Sequence, residues 1–374
     1  MKSFILKVIA FFALVEITLR LIYSLIIGPD VLLFGTRFYS SAALSSEEVD
    51  FQENKADEGT HNVANHVNIQ NGYSKYLPNQ SRRDHDKQGN VFDVKINTQG
   101  FRGTDFSLVK GDNVYRIIAI GASPTFGYGD RDNETYPYYL EAVLNEKIVP
   151  DSIAKVEVYN MGIPHLSSAN ILALMEKEAL KYQPDVILFY GGMTDTPIPN
   201  KPSNFELVSR RLILAKLFYL KWEDDQLHER REFLENYAER STFFTSNLIR
   251  MNEVAQTNNI AFYYITQQSQ SKSLTNSQLK EYTYKAERDL IRKRIRNQKV
   301  TSNELHFLIH SEIINAAVKV TDSAKINLID GIQILDSMRN ELTSWVHLTP
   351  KANHHLANEI ANILCRNELS ASCK

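Results

Sequence analysis

The chain has 374 residues, of which 43% are hydrophobic and 23% charged, and a formal net charge of -2. That size and balance suit one large α/β domain with additions. The near-neutral charge excludes the basic footprint of a nucleic-acid-binding protein, so no nucleic-acid partner is expected.

The chain opens on an apolar run of roughly 26 residues from Ser3 to Gly28, longer than the about 20 residues a helix needs to cross a bilayer. Lys7, Glu16 and Arg20 interrupt it. Lys7 is placed to snorkel, and Glu16 and Arg20, four apart on one helix face, can pair. Lys2 and Lys7 precede most of the run, while Glu47, Glu48 and Asp50 follow it and Arg37 opposes the bias. No small-residue cleavage site follows directly. Residues 1–30 therefore read as an uncleaved signal-anchor that partners the inner (cytoplasmic) membrane as a single pass, with the bulk of the chain extracytoplasmic, in a periplasm. A buried amphipathic first helix is the alternative.

Residues 31–110 read as a polar linker and N-terminal extension, rich in turn formers. Within it Val94 to Ile96 alternates like a short strand and runs through Asn97, Gly100, Phe101 and Arg102 into a turn at Gly103. On its own physics this segment is an edge hairpin covering the main sheet.

From residue 111 the pattern becomes regular. Tyr115 to Ile120, Lys155 to Tyr159, Val186 to Tyr190, Ile260 to Thr266 and Lys325 to Asp330 read as five strands. Glu134 to Lys147 and Ser168 to Tyr182 read as helices between the first three. Strict alternation implies a mainly parallel sheet. Two long helical stretches, Phe205 to Thr257 and Asn276 to Ala324, exceed simple crossovers and read as insertions at about 200–257 and 270–322. The second carries Lys285, Arg288, Arg292, Lys293, Arg294 and Arg296, a solvated face or a site for an anionic lipid or polymer. The main domain is bounded at 111–366, with a tail at 367–374. Cys365 and Cys373 are the only cysteines; in an oxidising compartment they close a small loop, in a reducing one they stay thiols. Their spacing fits no metal site, and no cofactor is expected.

The chemistry-bearing residues collect after strands, where parallel sheets hold ligands. Ser123 follows the first strand as Gly121-Ala122-Ser123, either as a nucleophile or as a helix cap. Gly162 follows the second, and Gly192-Met193-Thr194-Asp195 the third. Ser344-Trp345-Val346-His347 lies beyond the fifth. Ester cleavage by a serine needs a base, which His347 can supply near neutral pH. It also needs oxyanion donors, for which the N–H groups of Ser123 and Gly162 are candidates. His165 lies near the proposed hole, and His354 and His355 read as surface residues.

In this order the pieces resemble the SGNH, or GDSL-like, hydrolase family, over about Asn97 to Leu364. Gly121-Ala122-Ser123 falls on its Gly-Asp-Ser block, Gly162 on its oxyanion glycine, Gly192 to Asp195 on its Gly-x-Asn-Asp block and Ser344 to His347 on its Asp-x-x-His block. The anchor, with Glu16 and Leu19-Arg20, is similar to that of membrane-anchored bacterial members. The resemblance implies a flavodoxin-like, three-layer α/β/α sandwich around a five-stranded sheet. It also implies hydrolysis of acyl or acetyl esters, of envelope glycans or lipids, by a Ser123 nucleophile and a His347 base. Ser123, Gly162 and Thr194 would form the oxyanion hole.

Two departures bear on strength. Thr194 stands where the family has an amide donor, and Ser344 where it has the aspartate that orients the histidine. Loss of one oxyanion donor costs about 10²–10³-fold in rate. A serine lacks the charge that stabilises an imidazolium, leaving Asp336, Glu341 or a backbone carbonyl as substitutes. Three functions follow: an esterase, an acyltransferase on an envelope glycan, or a degenerate domain that binds a saccharide or a partner protein.

Overall fold

The computed structural model describes residues 2–26, 72–86, 89–149, 153–196, 212–213 and 227–373. The chain divides into two compact units, Met1–Val67 with Ile198–Leu227, and Asn68–Pro197 with His228–Lys374. In the first, helix α1 spans Lys2–Ile26. Its Glu16 and Arg20 pair at 2.9 Å, and Glu16 Oε1 also accepts from the Ile213 N–H at 3.0 Å. Among the described residues no helix is long and apolar enough to cross a membrane. The helix expected at the N-terminus is thus present, but the membrane-spanning reading lacks support, because charged Lys7, Glu16 and Arg20 interrupt its apolar surface.

The second unit begins with antiparallel strands β1, Gln80–His85, and β2, Val91–Ile96. This hairpin belongs to the same compact unit as the main sheet, as does the rest of the described part of the expected linker, 72–86 and 89–110. Strands β3, Val114–Gly121, β4, Lys155–Gly162, and β5, Val186–Gly191, follow. Then come β6, Ala261–Thr266, and β7, Asn327–Ile329. They form one sheet in the order β4-β3-β5-β6-β7 with every neighbour parallel. All six residues of β5 are buried, which is why its apolar run is continuous rather than alternating.

Between the strands lie α2, Ser123–Phe126, α3, Tyr136–Lys147, α4, Ser168–Lys177, and α5, Arg230–Thr257. They are followed by α6, Asn276–Leu279, α7, Tyr284–Ile295, α8, Ser302–Ala324, α9, Gly331–Leu335, and α10, Pro350–Asn367. On one sheet face Ile117, Ala119, Leu188 and Ile265 pack with Leu140 and Leu144 of α3 and Leu356 and Ile360 of α10. The opposite face puts Phe189 and Tyr264 against Phe244 of α5, ring centroids 5.7–5.8 Å apart. Each fully buried side chain of this size contributes about 1.5–3 kcal/mol. The α/β architecture and the five-stranded parallel sheet thus match expectation.

The helical stretch expected from Asn276 to Ala324 is three helices. Thr283 caps α7 by accepting from the Ala286 N–H, and Thr301 with Glu304 closes a capping box on α8, so each threonine starts a new helix. Of the stretch expected from Phe205, residues 205–211 and 214–226 lie outside the described residues. The basic run on α7 is laced to its surroundings: Arg292 pairs with Glu312 and Arg294 with Glu304, both on α8, and Arg288 with its neighbour Asp289. That fits the solvated face rather than a polyanion site. Cys365 and Cys373 form a disulfide. Ser372 beside it accepts from the Val149 N–H at 2.7 Å, which holds the tail on the chain following α3.

Candidate active site

In the sheet register Gly121 of β3 lies opposite Gly162 of β4 and Tyr190 of β5. The sheet order turns at β3, and Ser123 leaves the carboxyl end of that strand, where such sheets open a crevice. Gly121 has no alternative, since a Cβ there would sit 2.1 Å from Thr125 Oγ1 and 2.7 Å from the Tyr190 carbonyl oxygen. Ser123 opens α2 at its first position, where backbone N–H groups lack an intrahelical acceptor. The short helix stops at Gly127, which adopts a left-handed φ of 85°.

Ser123 and His347, 224 positions apart, meet with Oγ and Nε2 at 2.8 Å. Both are buried, at 5% and 3% exposure, so their contact is shielded from water. His347 sits in a tight turn closed by Thr343 N–H donating to its carbonyl oxygen at 2.8 Å, just before α10, which Thr349 caps. Its ring packs at 5.2 Å from Tyr128. Its Nδ1 lies 2.7 Å from Ser344 Oγ. Of the carboxylates considered as substitutes, Asp336 accepts from the Tyr284 N–H at 2.7 Å, and Glu341 binds Thr349 Oγ1 and Lys351 Nζ.

The remaining expected oxyanion donors are placed differently. The Gly162 N–H donates to Asn160 Oδ1 at 3.0 Å. Gly162 also acts sterically, since a Cβ there would stand 2.2 Å from the Phe126 nitrogen in α2. Thr194 is half-buried in a 3-10 turn after β5, and its side chain hydrogen-bonds no described residue. Its neighbour Asp195 accepts from the Ser168 N–H and hydroxyl at 3.1 and 2.7 Å, tying that turn to α4. Burial pushes the Asp195 carboxyl up to about 6, against the lowering effect of those Ser168 bonds. His165 is exposed, with a left-handed φ of 64°. His354 packs on Tyr139 and His355 contacts the Ile334 carbonyl, away from the chemistry.

Three features of the site were not legible in sequence. Arg102, 2% exposed, donates to the carbonyls of Phe126, at 3.0 Å, Gly127 and Asp130, and to Asp132 at 2.9 Å. The hairpin segment therefore grips the nucleophile turn rather than covering the sheet. Asn353 on α10 donates to Asp130 Oδ2 at 2.8 Å, joining that turn to the helix after His347, and burial holds the Asp130 carboxyl well above its ordinary range.

The third is the strap Gln267 to Ser271 beyond β6, buried throughout. Gln267 accepts from the Met193 N–H at 2.8 Å. Gln270 donates its side-chain amide to the Ser344 carbonyl at 2.7 Å and its N–H to Trp345 at 2.8 Å. One strap thus positions both the Thr194 turn and the His347 turn. Beneath it Ser269 and Tyr284 contact His310 Nδ1, each at 2.9 Å, and Arg339 pairs with Glu287, both fully buried. Burial drives His310 down to about 3, so it is neutral. A run of Gln and Ser looks like a surface loop; only satisfied partners make its burial tolerable.

Among the described residues no cluster of His, Cys, Asp or Glu is arranged to hold a metal ion. What the arrangement can do is deliver a serine hydroxyl, with a histidine at hydrogen-bond distance, to an electrophilic carbon at the sheet edge.

No protein-family model matches the chain, and no curated protein does. Solved structures similar to it include a lipolytic protein of the G-D-S-L family from Desulfitobacterium hafniense, at 14% identity, 67% of this chain, 99% of that chain and a TM-score of 0.39. The lipase/acylhydrolase from Enterococcus faecalis shows 14% identity, covers 67% and 95%, and has a TM-score of 0.41. The aryl esterase of M. smegmatis shows 10% identity, 67% and 99% coverage and a TM-score of 0.39. Of these three, one is described as of the G-D-S-L family, one as a lipase/acylhydrolase and one as an aryl esterase.

Proposed function

We propose that the chain is a serine esterase acting on acyl or acetyl esters, with Ser123 as nucleophile and His347 as general base. The observation that carries this reading is the 2.8 Å contact between Ser123 Oγ and His347 Nε2. Ser123 Oγ attacks the acyl carbon as its proton passes to Nε2; the oxyanion collapses, the alcohol leaves with that proton, and water releases the acyl group by the reverse sequence. The Ser123 N–H and the Thr194 hydroxyl are the donors nearest in role to an oxyanion hole. Gly162 would join them on release from Asn160.

An extracytoplasmic location belongs to the same proposal and is supported by the Cys365–Cys373 disulfide, since such bonds persist in oxidising compartments. Attachment through α1 to the inner membrane is proposed with it, supported by the exposure of Phe11, Phe12, Leu14, Ile17 and Leu21 on that helix. Retention in the membrane pellet after alkaline extraction tests it, and release of the intact chain argues against it. A second reading, binding without turnover, is favoured by one observation, the engagement of the Gly162 N–H by Asn160.

The test is hydrolysis of p-nitrophenyl acetate by the full chain. Turnover that vanishes in both Ser123→Ala and His347→Ala supports the esterase; wild-type turnover no greater than that of Ser123→Ala removes it in favour of the binding domain.

A further inference from the structure

The direction of the Ser123–His347 hydrogen bond is set by the group on the far side of the imidazole. Ser344 Oγ stands 2.7 Å from His347 Nδ1 and accepts backbone N–H groups from Val346 at 3.3 Å and His347 at 3.2 Å. A hydroxyl has two lone pairs and one proton. With both lone pairs facing N–H donors, the proton of Ser344 is directed at Nδ1. The turn that imposes this is held from outside, by Gln270 on the carbonyls of Ser344 and Trp345.

We infer that resting His347 is held in the tautomer with its proton on Nε2, donating to Ser123, and that Ser344 is the positioning residue that holds it there. This rests on the Ser123–His347 reading of the site. In that tautomer Nε2 has no lone pair for the serine proton. The productive tautomer carries the proton on Nδ1, which then competes with two backbone N–H groups for the two lone pairs of Ser344. A carboxylate at 344 would reverse the preference: it only accepts, the same two N–H groups would bind it, and Nδ1–H would donate to it. In a triad whose acid is replaced by an amide, trapping the wrong tautomer lowers kcat about 10⁴-fold; a hydroxyl can rotate and traps it less firmly.

The experiment has a spectroscopic arm and a kinetic arm. The full chain with 15N-labelled histidine is examined at pH 8.5, the His347 signals being identified by their loss in His347→Gln. The inference expects a protonated-type Nε2 and a bare-type Nδ1 in the wild type, and the reverse in Ser344→Asp. A protonated Nδ1 in the wild type overturns it, whatever the activity. In the kinetic arm Ser344→Asp is expected to raise kcat for p-nitrophenyl acetate by about 10²-fold or more, with KM little changed, and Ser344→Ala to raise it by a smaller factor, because the hydroxyl that holds the non-productive tautomer is gone. A tenfold fall in Ser344→Ala would overturn the inference, because it would make Ser344 a productive partner. Failure of the esterase reading shows separately, as wild type and Ser344→Asp both turning over no faster than Ser123→Ala.

Discussion

Replacing Arg102 by methionine tests whether the N-terminal hairpin is part of the catalytic apparatus. The guanidinium is 1% exposed and serves Phe126, Gly127, Asp130 and Asp132. Methionine fills similar length but takes the charged donor from all four, leaving the Phe126 carbonyl with Asn160 Nδ2 at 3.4 Å and the Gly127 carbonyl with the Asp130 N–H at 3.1 Å. Asp132 is 36% exposed and re-solvates, so the loss falls on three carbonyls in the turn after Ser123. An unsatisfied buried acceptor costs about 1–3 kcal/mol, and each lost hydrogen bond to a charged group about 1.5–3 kcal/mol. We expect about 3–5 kcal/mol, which lowers the melting temperature by about 10 °C in a domain of this size. Loosening the turn also displaces Ser123, and a misplacement of about 1 Å costs about 10²-fold in rate. The assay pairs thermal unfolding by circular dichroism with p-nitrophenyl acetate turnover measured well below the variant's midpoint. Arg102→Lys, which keeps the charge but not the planar fork, is expected to fall between the two. A midpoint within about 2 °C of wild type, with turnover unchanged, would refute the clamp and return the hairpin to a mere cover for the sheet.

Gly162→Ala forces a methyl group against the α2 backbone 2.2 Å away; loss of folded protein or a rate fall of about 10²-fold is expected, and normal turnover would show that α2 yields freely. Asp195, raised to about 6 by burial, holds a proton in the native state that the unfolded chain, with a value near 3.9, has lost. Its contribution is therefore complete below about pH 4 and declines by about 2–3 kcal/mol as pH rises through 6. The difference in unfolding free energy between wild type and Asp195→Asn should shrink accordingly from pH 4 to pH 7.5, and a difference independent of pH would contradict this. Opening the Cys365–Cys373 bridge, which closes a loop of sequence separation 8, should destabilise by about 2–3 kcal/mol on the chain-entropy account; equal midpoints for wild type and the Cys365→Ser, Cys373→Ser double variant would count against it.

The strands and most helices were legible in sequence because their signals are local. Val186 to Tyr190 is apolar at every position, and a strand buried on both faces requires that. The glycines at 121 and 162 and the serine at 123 were legible as a strand-end pattern, and His347 as the one histidine in a matching block. The splitting of the 276–324 stretch was readable in principle from Thr283 and Thr301, whose cap signals were outweighed by the helical composition around them.

Partner choice is where sequence stopped and tertiary structure decided. Arg102, Asn353 and Gln267 to Ser271 are polar residues that composition assigns to the surface. They are buried because backbone groups far away in the chain, at Phe126, Glu134, Met193 and Ser344, need them. The identities Thr194 and Ser344 were plain from the start, yet only the fold placed two backbone N–H groups on the Ser344 hydroxyl and Asn160 on the Gly162 amide. A strand's periodicity is set by neighbouring residues, whereas the direction of a buried hydrogen bond is set by every donor and acceptor that folding brings within about 3 Å.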